Sequence, residues 1–406
     1  MSDRTKRETV EEVFALVEEH GIEKTAEIRG NTVGTIARYL TRYQNLQDEE
    51  LVEENVKYKK QTQKYQDTNR IERKAFREQA RVENAVSALN AEFIKLVREN
   101  KFKSYESKEI VVSENPVYGI IQLSDHHLNE LVELPRNKYD IGIASKRLKK
   151  HIDKSILDFT FNGVTDVLVA FTGDMINSDR RLDEMLNQAT NRTRAQFLAV
   201  ELYKQALEQL SDYFNINVSS VTGNESRVKD IYEWSDVCVT DNYDYAINGI
   251  LELLFEDNDR VQFCGDCKIE NVVRFGGKNV LLIHGNQIKG DISKSISKII
   301  RKYSDADIKI DYVLFGHIHE SLIADLYARS ASLVGGNAFS DNGLQLTSRA
   351  SQNRFRIEDG EFIGTVQCLQ NVDDYEGYNI SEKLMKYNAK SANKNREKVT
   401  VFEIVI

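Results

Sequence analysis

The chain has 406 residues, 41% of them hydrophobic and 29% charged, the balance of a folded protein with room for two or three domains and a sizeable core. A net charge of −9 excludes a uniformly basic coat for nucleic acid and leaves local basic patches open. No apolar run nears the ~18 residues of a membrane span. The start "MSDRTKRETVEE" lacks the apolar stretch of a signal peptide, so the expected home is the cytoplasm, with no membrane partner. Four cysteines, Cys238, Cys264, Cys267 and Cys368, are too few and scattered for a disulfide framework, and the lone "CGDC" has no second pair to complete a zinc site.

Residues 1–115 read as almost continuous helix, rich in Glu, Lys, Arg and Gln, with no glycine between Gly34 and Gly119. The stretch "ETVEEVFALVEEHGIEKTAEIRGNTVGTIARYLTRY" predicts a helix to about Glu19, a break at residues 20–21, a short helix, the turn "RGN" and a further helix. That order, with Ala26 and Ile36 at core-like positions, makes residues 1–46 helix-turn-helix-like. The last helix would offer Thr32, Thr35, Arg38, Tyr39, Thr41 and Arg42 to DNA; a small bundle for protein contacts is the alternative. Residues 47–115 read as a charged helical linker, whose segment 57–81 holds nine Lys or Arg against three Asp or Glu. Such a run suits either a solvated helix face or an arm that contacts phosphates.

Pro116 marks a change of character. From residue 117 the β-branched runs "VYGIIQL", "TDVLVAFTG", "INVSSVTG", "NVLLIHG" and "DYVLFGH" alternate with helical stretches at 141–160, 192–213, 242–255 and 292–303. Strand alternating with helix indicates an α/β domain, here over 116–370. Residues 371–406 read as a polar tail that ends in one apolar strand.

Each of these runs ends in a side chain able to bind metal. "IIQLSDHHL" delivers Asp125 and His127, "LVAFTGDMI" Asp174, "SVTGNES" Asn224, "LLIHGN" His284, and "LFGHIHES" His317 and His319. His20 and His151 stand apart, in helical contexts, and read as surface residues. Ligands gathered at the carboxyl ends of strands occupy the crevice where open α/β sheets bind. Oxygen and imidazole donors without thiolate suit Mn, Fe or Zn rather than copper or structural zinc. One carboxylate between two histidine-containing sets suits a bridge between two cations about 3.5–4 Å apart.

Asp-x-His, Gly-Asp, Gly-Asn, His-Gly and Gly-His-x-His, in that order and after strands, resemble the calcineurin-like metallophosphoesterases over roughly residues 117–370. The resemblance implies two facing mixed β-sheets flanked by helices, here preceded by an all-α N-terminal region. It implies two divalent cations, Mn first, with Fe, Zn or Mg as alternatives. One would take Asp125, His127, Asp174 and His319; the other would take Asp174, Asn224, His284 and His317. The spacing of the motifs and the closing "GHIHES" are most similar to the DNA-repair nuclease branch and its bacteriophage relatives, which implies a DNA substrate.

One motif departs from the family. Where it has Gly-Asn-His, with the histidine protonating the leaving oxygen, this chain reads "GNESR", and Glu225 takes that place. A carboxyl of ordinary pKa, about 4.3, is ionised near neutral pH and donates poorly. Three routes are open: Glu225 with a raised pKa, His126 or water as the acid, or slow hydrolysis. Arg227 is expected either to pair with Glu225 or to hold the scissile phosphate. The loop "GDMINSDRRLDEMLNQATNR", with Arg180 and Arg181, is a candidate groove wall. The leading expectation is a two-metal nuclease acting on DNA. A phosphatase or small-nucleotide phosphodiesterase that oligomerises or binds a protein through residues 1–115 is the second, and a catalytically weak metal-containing DNA-binding protein the third.

Overall fold

The computed structural model describes residues 3–44, 60–63, 116–229, 237–337, 340 and 348–380. Most of the expected linker and the expected final strand lie outside the described residues. The chain divides into two compact units, Met1–Ala88 and Leu89–Ile406.

In the first unit, α1 (Asp3–His20) and α2 (Ile22–Arg29) are followed by helical residues 33–44, here α3. Gly21, at φ 80°, breaks α1 from α2. Gly30, at φ 64°, closes α2 in the left-handed conformation that glycine adopts without penalty. Val13, Ala26 and Ile36 form a small buried core, with Val17 and Tyr39 packed against it. Tyr39 is therefore half-buried rather than fully outward, and Thr32 caps α3 by accepting from the Thr35 N–H at 3.3 Å.

The second unit opens with β1 (Val117–Leu123), β2 (Val132–Leu134), β3 (Asn137–Tyr139), α4 (Ile141–Phe161), β4 (Val164–Phe171), α5 (Leu182–Leu186), α6 (Arg192–Ser211) and β5 (Asn215–Ser220). It continues with α7 (Val237–Thr240), α8 (Tyr243–Leu254), β6 (Val261–Phe263), β7 (Glu270–Phe275) and β8 (Lys278–Ile283). Then come α9 (Ile292–Ser304), β9 (Tyr312–Phe315), β10 (Leu322–Ile323), β11 (Tyr327–Arg329), β12 (Ser351–Glu358) and β13 (Glu361–Cys368). One sheet has the order β13-β12-β1-β4-β5-β6 and another β10-β11-β9-β8-β7; β2 and β3 pair separately. β1, β4, β5 and β6 run parallel, as do β8, β9 and β11, while β12, β13, β7 and β10 pair antiparallel.

Strand alternation makes the layers. Ile120, Leu168, Ala170, Val280, Leu282, Tyr312, Leu314 and Phe355 fill the space between the two large sheets. Their neighbours in sequence turn the other way. Ile121, Val167 and Val169 meet α4, α6 and α8 through Leu148, Leu198 and Leu251, and Leu281, Ile283, Val313 and Phe315 meet α9 through Ile296. The strands are buried on both faces, which is why they read as continuous apolar runs. Asp140, Asn191 and Asp291 start α4, α6 and α9 by accepting from Ile143, Arg194 and Lys294 N–H groups.

His151 corrects its surface reading: it is fully buried on α4. The tail begins later than expected, because residues 371–380 dock on α4. Ser145 Oγ donates to the Tyr378 carbonyl at 2.9 Å, and Tyr378 and Ile380 join the core. All four cysteines are free thiols. No described helix is long and apolar enough to cross a membrane.

Candidate metal centre

β1, β4, β5, β8 and β9 deliver their C-terminal ends to one edge of the sandwich. The segment after β1 stays tied to the segment after β4: Asp125 N–H donates to the Gly173 carbonyl at 3.0 Å and His127 N–H to the Asp174 carbonyl at 3.1 Å. Asp125, His127, Asp174, His317 and His319 all adopt positive φ, between 44° and 68°. That conformation turns the chain sharply at each strand end and aims the side chains into one volume, at a cost in backbone energy. Two glycines permit the approach. A Cβ on Gly223 would lie 2.0 Å from Asp174 Oδ1, and one on Gly316 2.0 Å from Asp125 Oδ2.

The donors fall into two groups, each with ligand atoms within 4.8 Å of one another: Asp125, His127 and His319, then Asp174, His284 and His317. In the first, His319 Nε2 lies 3.4 Å from Asp125 Oδ1 and 3.2 Å from His127 Nε2. In the second, His284 Nε2 lies 3.0 Å from Asp174 Oδ2 and 2.9 Å from Asn224 Oδ1. Asp174 also lies within the same reach of His127 and Glu225, the placement a shared carboxylate needs.

Both aspartates are almost fully buried. Burial alone would push Asp125 up, but the hydrogen bond and charge of His319, with His284 and His127, hold it below the usual carboxylate range. Burial pulls His284 down, and Asp174 outweighs it, raising the ring to about 9. His317 is lowered to about 4, first by burial and then by the charge of His284. Buried carboxylates facing converging imidazole nitrogens form a donor set that fits divalent cations.

The structure does not bring His126 to this cluster. Its ring is buried against Tyr203, with Nδ1 2.8 Å from the hydroxyl, and burial lowers its pKa to about 3. His126 as the proton donor is thus corrected. Glu225 sits in the cluster, its Oε2 3.2 Å from His127 Nδ1. Burial pushes its carboxyl up, yet the charges of His127 and His319 hold it below the usual range. Arg227 lines a cleft of about 410 Å³ over the cluster, with Arg180, Arg181, Asn224, Glu225 and His317 among the other lining residues.

No protein-family model matches the chain, and no curated protein matches it. Among solved structures, a predicted phosphoesterase from Streptococcus pneumoniae TIGR4 is similar at 15% identity, over 65% of this chain and 94% of that one, with TM-score 0.29. Vps29 complexed with Zn from Entamoeba histolytica is similar at 13% identity, over 62% and 99%, with TM-score 0.26. A 5'-nucleotidase from Candida albicans SC5314 is similar at 8% identity, over 70% and 59%, with TM-score 0.29. Scores this low decide nothing about this chain, whose fold and centre rest on its own residues.

Two buried residues missed in the sequence hold the centre together. Asp244, at the start of α8, accepts from the N–H groups of Asp174 (2.9 Å), Met175 (2.9 Å) and Gly223 (2.8 Å). It clamps the loops after β4 and β5, and its sole signal was the capping pattern "DNYD". Arg192, in the first turn of α6, donates to the carbonyls of Glu225 (2.7 Å) and Arg227 (2.8 Å) and sits over the Tyr243 ring at 4.6 Å. Nothing local in the sequence marks it.

Proposed function

We propose that this chain is a two-metal phosphodiesterase of the calcineurin-like kind that hydrolyses nucleic acid, DNA first, in the manner of the repair-nuclease branch. The observation that carries the reading is the convergence of two donor groups around Asp174 at five strand ends. Asp125, His127, Asp174 and His319 would hold one cation, and Asp174, Asn224, His284 and His317 the other, with Mn expected before Fe, Zn or Mg. Two such cations supply a nucleophile near neutral pH and neutralise charge on the phosphoryl group.

The rest falls to side chains of this protein. Arg180, Arg181 and Arg227 border the cleft and suit phosphate oxygens, which a guanidinium fork binds in pairs. Leu182, Met185 and Leu186 stand exposed beside them, apolar surface of the kind that meets bases. His126 lies away from the cluster, and Glu225, though in the cleft, is read as an ionised acceptor beside His127, so in this reading the leaving oxygen takes its proton from water. The helix-turn-helix-like residues 1–46 add affinity for the polymer without touching the reaction.

A phosphatase or small-nucleotide phosphodiesterase is the second reading, favoured by one observation: about 410 Å³ is the size of a small-ligand pocket. Labelled single- and double-stranded DNA, incubated in Mn²⁺ and in Mg²⁺ beside bis-nitrophenyl phosphate, separates the two. The nuclease reading expects DNA cleavage, and removal of residues 1–46 should weaken DNA binding and flatten its salt dependence while sparing the small substrate. Hydrolysis of the small substrate with intact DNA at every salt concentration would favour the second reading.

A further inference from the structure

We propose that Glu225 is a positioning residue: its carboxylate holds the His127 ring so that Nε2 faces the first cation. This rests on the two-metal reading above. An imidazole offers one nitrogen to a metal, and the partner of the other nitrogen sets which one that is. His127 turns Nε2 toward His319 Nε2 (3.2 Å) and Asp125 Oδ1 (3.9 Å), while its Nδ1 meets Glu225 Oε2 at 3.2 Å. His284 shows the completed arrangement in the second group. Its Nε2 faces Asp174 and Asn224, and its Nδ1 lies 2.8 Å from the Thr172 carbonyl. Glu225 stands where that carbonyl stands: its carboxylate is within reach of His127 Nδ1, a buried nitrogen with no hydrogen-bond partner of its own among the described residues.

The residue is anchored for that task. Its N–H donates to Asp174 Oδ1 at 2.7 Å, and its carbonyl accepts from Arg192 Nη2 at 2.7 Å. Backbone and side chain together tie His127 to Asp174, the residue shared by the two groups. The place that carries a proton donor in the related motif here carries an acceptor.

Mn²⁺ binding to the full chain, followed by the electron paramagnetic resonance of free Mn²⁺, tests this together with ¹⁵N spectra of the His127 ring. Glu225→Ala should weaken one Mn²⁺ about 10–100-fold, the usual cost of losing such an outer partner, and leave the other unchanged. Its His127 ring should lose the single Nδ1–H tautomer. Glu225→Gln keeps an oxygen acceptor and should bind both ions near wild-type affinity. Glu225→Leu, which fills the space without an acceptor, replaces the Ala variant if that one does not fold. Equal affinity in wild type and Ala would overturn the proposal alone. Equal loss in Gln and Ala would overturn it in favour of direct ligation. A wild-type chain that binds no Mn²⁺ would overturn both the two-metal reading and this one.

Discussion

His284 and His127 each turn Nε2 toward a carboxylate, yet their surroundings differ. His284 leans on a main-chain carbonyl. His127 leans on the Glu225 side chain; otherwise the groups match, each with two buried donors and one half-buried histidine. A carbonyl cannot be removed by substitution, and a glutamate can. The Asp174 group is therefore oriented by the main chain and the Asp125 group by a replaceable side chain, so affinity and exchange should be tunable at the Asp125 group first.

The largest expected effect comes from erasing the comparison. Asp174→Asn should reduce metal-dependent hydrolysis to background, a greater loss than the ~10–100-fold of an outer partner, with circular dichroism unchanged. Next come His317→Ala and His319→Ala, each removing one of the two metal equivalents by elemental analysis; His319→Ala should spare the ion of the His284 group, His317→Ala that of the His127 group. Loss of both ions in either variant would show that the groups are not separable.

Asp244→Asn should blur the two groups evenly. The amide would face one backbone N–H with another donor, and a hydrogen bond to a charged group contributes about 1.5–3 kcal/mol. Metal-free thermal denaturation should fall accordingly, and both ions should weaken together. At neutral pH the smallest effect lies outside the centre, at His151. Burial, then the charge of Arg354, lowers its pKa from 6.5 to about 3. The folded state thus binds its proton less readily than the unfolded chain, so the contribution is complete above pH 6.5 and is lost as pH falls toward 3. His151→Leu should flatten acid denaturation across that window and leave stability at pH 8 little changed.

Much of this was legible in the sequence, for reasons that also explain the misses. The helices expected at 141–160 and 292–303 appear as Ile141–Phe161 and Ile292–Ser304, because capping aspartates and apolar spacing are local signals. The strand-end residues come together because strands aligned in parallel bring their ends to one edge. The facing of the two sheets was not visible in any run and came only from resemblance. His151 was misread although Leu148, Ile152 and Ser155 share its helix face, a spacing that marks burial. His126 was misplaced because its partner, Tyr203, lies 77 residues along the chain. Asp244 and Arg192 were missed because their partners lie far along the chain: Asp244 is 70 residues from Asp174, and Arg192 is 33 from Glu225.

The positive φ at Asp125, His127, Asp174, His317 and His319 bears on how the protein breathes. Each such torsion costs about 1–3 kcal/mol and persists only while its surroundings enforce it. The edge that gathers the donors is therefore sprung: local opening there releases strain, whereas opening within β1 or β9 only loses contacts. Stripped of cations, amides just beyond Leu123 and Phe315 should exchange with solvent well before those inside the strands, and loading should slow that edge more than any other part of the sandwich.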